Sequence, residues 1–209
     1  MLRVGLTGGL ASGKSFAAAE FQRLGCAVLQ ADRLGHCILA EDRAARDEVE
    51  GAFGPGVLAP DGSIDRKALA AAVFPDRARL ERLNAIVHPR VFAGIERFFR
   101  ESEARDPDGV ALVEAAIMIE SGSYKRYQRL VVAACPPAMQ VERYRLREGA
   151  TREEAAARIA RQIPLEEKRR FADYVIDTSG TKERTIRQVR TVHRQLRAEA
   201  GSAGSGEGR

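Results

Sequence analysis

The chain is short of cysteine and aromatic side chains and has no tryptophan. Each shortage removes a class of protein. Three cysteines, Cys26, Cys37 and Cys135, are spread through 209 residues without a Cys-x-x-Cys pair, so neither a disulfide framework nor a zinc site is expected. They read as buried, reduced thiols. Aromatic residues make up 6% of the chain and do not interleave with the arginines, which argues against a stacking platform for single-stranded nucleic acid. The net charge of +5 comes from basic residues mixed with glutamate along most of the chain. That is the pattern of solvated helix faces, not of a nucleic-acid stripe. No stretch approaches the roughly 18 consecutive apolar residues of a membrane span. The first apolar stretch, Val4-Gly5-Leu6-Thr7, runs straight into glycines and lacks the longer apolar region of a secretory signal. A cytoplasmic location is expected.

What is present is 44% hydrophobic and 30% charged residues, ordinary for a folded chain long enough for one α/β domain with insertions. Five apolar segments of strand length, 2–7, 27–30, 110–116, 130–134 and 174–176, alternate with helical patterns. Strand-length, mostly apolar segments separated by helical patterns predict an α/β, three-layer, doubly wound fold on a parallel five-stranded sheet. Residues 33–105 break the alternation and read as mostly helical, with Asp65 capping a helix over 66–74 and Pro75-Asp76 opening the next. A second helical excursion, about 137–170, is dense in arginine. The expected organisation is one domain over 1–198 and a disordered tail over 199–209, where the Gly-Ser-rich end has too few apolar residues to pack.

Gly8-Gly9-Leu10-Ala11-Ser12-Gly13-Lys14-Ser15 satisfies G-x-x-x-x-G-K-[ST], between a strand and a helix start. Backbone N–H groups and the positive helix end surround a β-phosphate in such a loop, and glycines permit the close approach. Lys14 is expected to bridge β- and γ-phosphates, and the Ser15 hydroxyl to ligate Mg²⁺. Residues 8–15 together with Phe16 form the expected ATP-binding segment. No N-K-x-D guanine-recognition string occurs, the nearest approach being Thr181-Lys182-Glu183-Arg184, so ATP is expected and not GTP.

Asp32, just past the second strand, stands where α/β sheets bind ligands. It reads as the base that orients and deprotonates an acceptor hydroxyl. The competing reading is an N-cap for a helix beginning near Arg33, although no Glu or Gln stands three residues on to complete a capping box. Arg143 and Arg147, four apart on a predicted helix, face one way and suit closure over a transferring phosphate. Glu142 and Glu148 leave open a plain solvated face. Glu114 either stands behind Mg²⁺ or is an ordinary hydrogen-bond acceptor.

These landmarks belong to a longer series that resembles the dephospho-coenzyme A kinases. It comprises Gly5-Leu6-Thr7-Gly8-Gly9, Gln30-Ala31-Asp32, Phe53-Gly54, Asp61-Gly62-Ser63-Ile64-Asp65-Arg66, Leu69 and Val73-Phe74. It continues with Leu83-Asn84-Ala85-Ile86-Val87-His88-Pro89, Glu120-Ser121-Gly122-Ser123-Tyr124-Lys125 and Asp173-Tyr174-Val175-Ile176-Asp177. The resemblance runs from Leu2 to about Arg197. It implies ATP-dependent phosphorylation of the ribose 3′-hydroxyl of dephospho-coenzyme A, the last step of coenzyme A synthesis. The implied fold is a P-loop kinase core with a helical acceptor-binding region over 33–105 and a mobile lid over 137–170. Catalytic roles are implied for Asp32, Lys14 and Arg143, ATP contacts for Arg147 and, by fold analogy, Ser179-Gly180. Acceptor contacts are implied for Asp32 and Glu120, while His88 either touches the acceptor or fills the acceptor region. ATP, Mg²⁺ and dephospho-coenzyme A are then the partners, with no nucleic acid and no membrane.

The chain departs from the family pattern at Gln30, where Asp is usual, and at Ala116-Ile117-Met118-Ile119-Glu120, where the family has Pro-Leu-Leu-Phe-Glu. Ala11 replaces a frequent glycine, and Phe16 stands where Thr is common. None removes a group assigned to chemistry, though Gln30 leaves one fewer carboxylate near the acceptor. Two other readings stand beside this one. One is another P-loop small-molecule kinase, with a nucleoside monophosphate or sugar acid as acceptor. The other is an ATP-dependent regulatory or RNA-binding module, which needs a contiguous basic surface.

Overall fold

The computed structural model describes residues 1–204. In chain order it begins with β1 (Leu2–Gly8), α1 (Lys14–Arg23), β2 (Ala27–Gln30), α2 (Ala31–Glu41), α3 (Arg43–Phe53), α4 (Arg66–Val73) and α5 (Arg77–Arg105). Then follow β3 (Val110–Glu114), β4 (Arg129–Ala134), α6 (Pro137–Glu148), α7 (Arg152–Ile159), α8 (Leu165–Arg169), β5 (Tyr174–Asp177) and α9 (Lys182–Gly204). The chain forms two compact units. One joins Met1–Gln30 with the chain from Phe99 onward, and the other is the insertion Ala31–Phe98.

The first unit is built on a five-stranded parallel sheet of order β2-β3-β1-β4-β5. The expected α/β fold and its five strands are therefore present, with strand ends within two residues of their expected places. β3 and β4, on either side of β1, carry the apolar runs Val110–Val113 and Leu130–Ala134 because both of their faces are covered. Leu2, Val4 and Leu6 of β1 cluster with Leu112, Val131 and Ile176, with Phe21 of α1, and with Val189, Val192 and Leu196 of α9. One expectation is corrected at the carboxyl end. Residues 199–204, read as the start of a disordered tail, continue α9, and Ala200 is buried in the same cluster. Apolar residues every few positions along α9 carry the helix past the point where glycine and serine accumulate. The rest of that tail, 205–209, lies outside the described residues.

The inserted unit has its own small core of Val49, Val57, Leu69 and Val73. Three of its helix starts, those of α3, α4 and α5, are capped by acids. Asp42 accepts the Ala45 N–H, Asp65 accepts those of Lys67 and Ala68, and Asp76 accepts that of Ala78 at 2.8 Å. Arg90 ties α5 to α3 through Asp42 and Glu48, at 3.2 and 2.7 Å. The helix start expected near Arg33 lies at Ala31, which puts Asp32 inside the first turn and not at an N-cap. A carboxylate there is favoured by the positive end of the helix.

Among the described residues no helix is long and apolar enough to cross a membrane. Cys26 and Cys135 are buried and Cys37 is half-buried, all three free, and burial pushes the Cys26 thiol up to about 12.

All three histidines titrate below their ordinary value of 6.5. Burial lowers His36, helped by the Arg66 guanidinium and opposed by Asp32; burial lowers His88; burial and then Arg197 lower His193. As pH falls through 6.5 the unfolded chain takes up these protons and the folded chain does not, so stability is full above that value and declines below it. The depressed carboxylates Asp42 and Asp61, held down by the Ala45 N–H and by Ser63 respectively, lose stability only further down, below about 4. Thermal melts between about pH 7.5 and 5.5 should therefore show Tm falling with pH. A flat Tm over that interval contradicts the histidine environments.

Candidate active site

The loop of residues 9–13 leaves the carboxyl end of the central strand and enters α1. Gly13 precedes the helix with a left-handed φ of 87°, and no side chain caps the helix start. The first N–H groups of α1 thus lack a side-chain partner and sit at the positive end of the helix dipole, an arrangement suited to an anion. Ala11 also lies in the left-handed region, at φ 56°. That explains why glycine is frequent at this position, since a Cβ there costs about 1–2 kcal/mol.

Lys14 and Ser15 converge on Glu114, at the end of β3. Glu114 Oε1 accepts the Ser15 hydroxyl at 2.6 Å and lies 3.3 Å from Lys14 Nζ. The Glu114 residue is 5% exposed, and its Oε2 is a buried atom with no hydrogen-bond partner. Gln30 is its register partner across the β2–β3 ladder, so an amide and not a second carboxylate neighbours the buried acid. The donor set of Ser15 Oγ and Glu114, hard oxygens with one acceptor unspent, fits Mg²⁺. This ion is usually held by one or two carboxylates together with water and substrate phosphates. No cluster of three or more His, Cys, Asp or Glu of metal-binding geometry occurs among the described residues, so an all-protein cage is not present there.

Two cavities, each of ≈ 240 Å³, adjoin at Gly13, Phe16 and Arg143. The first is lined by residues 11–16 with Arg143 and Arg147; the second continues past Thr178 and Gly180 to Lys182 and Thr185. Arg143 stands at their junction, where Nη2 donates to Thr178 O at 2.7 Å. Thr178 in turn donates its hydroxyl to Ser12 O at 2.5 Å and its N–H to Ala134 O at 2.8 Å. The guanidinium is thereby fixed to both the phosphate loop and the end of the sheet. Arg147 lines the same cavity, pairs with Glu148 at 2.7 Å and lies over the Tyr144 ring.

Other expected residues fall elsewhere. Gly8, Gly9 and Leu10 do not line either cavity; the Leu10 N–H and C=O are taken by Gln162 and Gln140. Gly180 lines the second cavity, whereas Ser179 does not and donates its N–H to Asp177 at 2.9 Å. Glu120, expected on the acceptor, accepts Lys168 Nζ at 2.7 Å and the Ile163 N–H at 3.2 Å through Oε1, while its Oε2 has no hydrogen-bond partner. Lys168 is wholly buried, and a buried ammonium requires a counter-charge. Asp32 and His88 belong to the inserted unit. Asp32 is exposed, with His36 one turn on, and His36 Nε2 lies 2.8 Å from Arg66 Nη2. The His88 ring packs against Phe92. Residues the motifs did not indicate are Thr178, Lys182 and Thr185; a strand end followed by a helix start was the available signal. Gln140, Gln162 and Lys168 carried no local signal.

A family model described as Dephospho-CoA kinase matches residues 2–183. The dephospho-CoA kinase of Aquifex aeolicus is 39% identical over 196 residues, covering 94% of this chain and 98% of that protein. That of Aromatoleum aromaticum is 40% identical over 202 residues, covering 96% and 97%. Among solved structures, TT1252 from Thermus thermophilus superimposes with a TM-score of 0.79 at 33% identity, over 93% of this chain and 97% of that one. The dephospho-CoA kinase of Campylobacter jejuni shares the fold, with a TM-score of 0.63 at 24% identity over 93% and 96% of the two chains.

Proposed function

The chain belongs to the dephospho-CoA kinase family, and on that premise we propose how its residues divide the reaction. The protein is an ATP-dependent kinase that phosphorylates dephospho-CoA in coenzyme A biosynthesis. The observation that carries the division of labour is the convergence of Lys14 and Ser15 on the buried Glu114, beside a helix start without a side-chain cap.

The β- and γ-phosphates of ATP lie against the first turn of α1, with Lys14 moving from Glu114 onto their oxygens. Ser15 and Glu114 hold Mg²⁺, which when bound neutralises phosphate charge. Arg143 faces the transferring phosphoryl group, and its anchorage to Thr178 spares it reorganisation as charge develops. Arg147 supports the same phosphates. The cavity past Thr178 and Gly180 receives the nucleoside. Asp32 takes the acceptor, orienting the ribose 3′-hydroxyl and accepting its proton. His88, half-buried against Phe92 and held neutral by burial, shapes the acceptor region.

The test is ADP release over a panel of acceptors with Mg²⁺ present. Dephospho-CoA should be consumed with one phosphate gained at the 3′-oxygen, while nucleoside monophosphates and sugar acids give background turnover. Chelating the metal should abolish the signal. A nucleoside monophosphate phosphorylated faster than dephospho-CoA would overturn the acceptor assignment, and turnover unchanged by chelation would overturn the metal.

A further inference from the structure

The phosphate loop is gripped at its apex from outside. Leu10 donates its backbone N–H to Gln162 Oε1 at 2.7 Å, and its carbonyl accepts from Gln140 Nε2 at 2.8 Å. Both glutamines belong to the excursion that carries Arg143 and Arg147. Gln140 lies three residues before Arg143 on α6, and Gln162 lies between α7 and α8. Gln140 is 2% exposed and fills the space over Gly9, where a Cβ would stand 2.2 Å from its Nε2. A Cβ at position 9 would push the Gln140 amide aside, so glycine there keeps this contact in place.

Gln162 is itself held in place. Its neighbour Ile163 donates its N–H to Glu120 Oε1, and the same oxygen takes Lys168 Nζ. Lys168, with no solvent exposure, also donates to Ala116 O at 2.9 Å. A buried ion pair fastened on both sides is not easily moved. Bonds therefore run without a break from Lys168 through Glu120 and the 162–163 peptide to Leu10.

The geometry points to Gln162, with Gln140, as a positioning residue that pre-shapes the phosphate loop for the β- and γ-phosphates of ATP. The inference rests on the kinase reading above. A peptide held at both its N–H and its C=O has fewer shapes to give up when phosphate arrives, so the binding-competent fraction is larger. The two glutamines are not interchangeable. Gln162 serves only as an acceptor here, and glutamate at 162 keeps an acceptor oxygen. Gln140 serves as a donor, and a carboxylate in its place would face the Leu10 carbonyl in a buried site.

The test is calorimetric titration of ATP, and of AMP, which lacks the β- and γ-phosphates, into wild type, Gln162→Leu and Gln162→Glu. Losing this hydrogen bond should weaken ATP about tenfold in Gln162→Leu. AMP affinity should stay within about twofold, KM for ATP should rise in parallel, and KM for dephospho-CoA should hold. Gln162→Glu should restore ATP binding. Unchanged ATP affinity in the leucine variant, equal weakening of ATP and AMP, or no rescue by glutamate would each overturn the inference. Gln162→Ala, at a half-buried site, replaces the leucine variant should that one not fold, with the same readings. The titration involves no acceptor. A wild type that binds ATP but phosphorylates something else would sink the acceptor assignment and leave this inference standing.

Discussion

Asp32→Asn is expected to lower kcat for dephospho-CoA by about 10²-fold or more, while ATP affinity changes little. A ribose hydroxyl is a poor nucleophile while protonated, and a positioned carboxylate typically contributes about 10²–10⁴-fold. Phosphoryl transfer is largely dissociative, so deprotonation comes late and orientation supplies part of that factor. Asparagine keeps the shape and one acceptor oxygen but removes the charge, which puts the expectation near the low end. Asp32 lies inside the first turn of α2, not at a cap, so the variant should cost little stability beyond a charge–dipole contribution of about 0.3–1 kcal/mol. Steady-state kinetics beside a nucleotide titration and a thermal melt separate the outcomes. A variant keeping a third of wild-type kcat, or one that simply unfolds, reduces Asp32 to a structural acid.

Lys14→Ala is expected to lower kcat/KM for ATP by about 10²–10³-fold, the scale seen when one preorganised charge stabiliser is removed. The Lys14 ammonium has a second role in the structure, because it stands 3.3 Å from the buried Glu114 carboxylate. Removing it leaves Glu114 with the Ser15 hydroxyl and a second oxygen that has no partner, so some loss of Tm should accompany the loss of activity. Adding Glu114→Gln to Lys14→Ala should recover Tm, which would assign the lost stability to the unpaired Glu114 carboxylate. Turnover near wild type in Lys14→Ala would remove the loop from the chemistry.

The sheet was legible because β3 and β4 are covered on both faces and therefore spell apolar runs such as Val110 to Val113. Asp65 was legible as a cap because capping needs only residues two and three positions on. The phosphate loop was legible for the same local reason. What escaped is what depends on distant partners. Gln162 meets Leu10 across 152 residues, and Thr178 meets Ser12 across 166; nothing near a glutamine or threonine announces such a bond. The neighbours of Glu120 match the family and imply acceptor contact, but only the fold reveals the buried Lys168 paired with its Oε1. The Gly-Ser composition at the end of α9 points away from helix, while Leu196 and Ala200, packed in the core, hold the helix past residue 198.

The sheet order also bears on how the chain comes to be folded during synthesis. β1 lies between β3 and β4, and its first partner, Val110, emerges about a hundred residues after Leu2. At ~5–20 residues per second a ribosome would leave this central strand without its ladder for roughly 5–20 s. β2 and β3 pair directly, yet the whole unit Ala31–Phe98 is made between them. Left as loose chain, that segment would add a closure cost rising with the logarithm of its length. With Val49, Val57, Leu69 and Val73 as a core of its own, it can condense first and turn a long floppy connection into a short one. A defect in that small core would delay the assembly of the nucleotide-binding sheet without altering one of its strands, and prolong the exposure of β1 to aggregation.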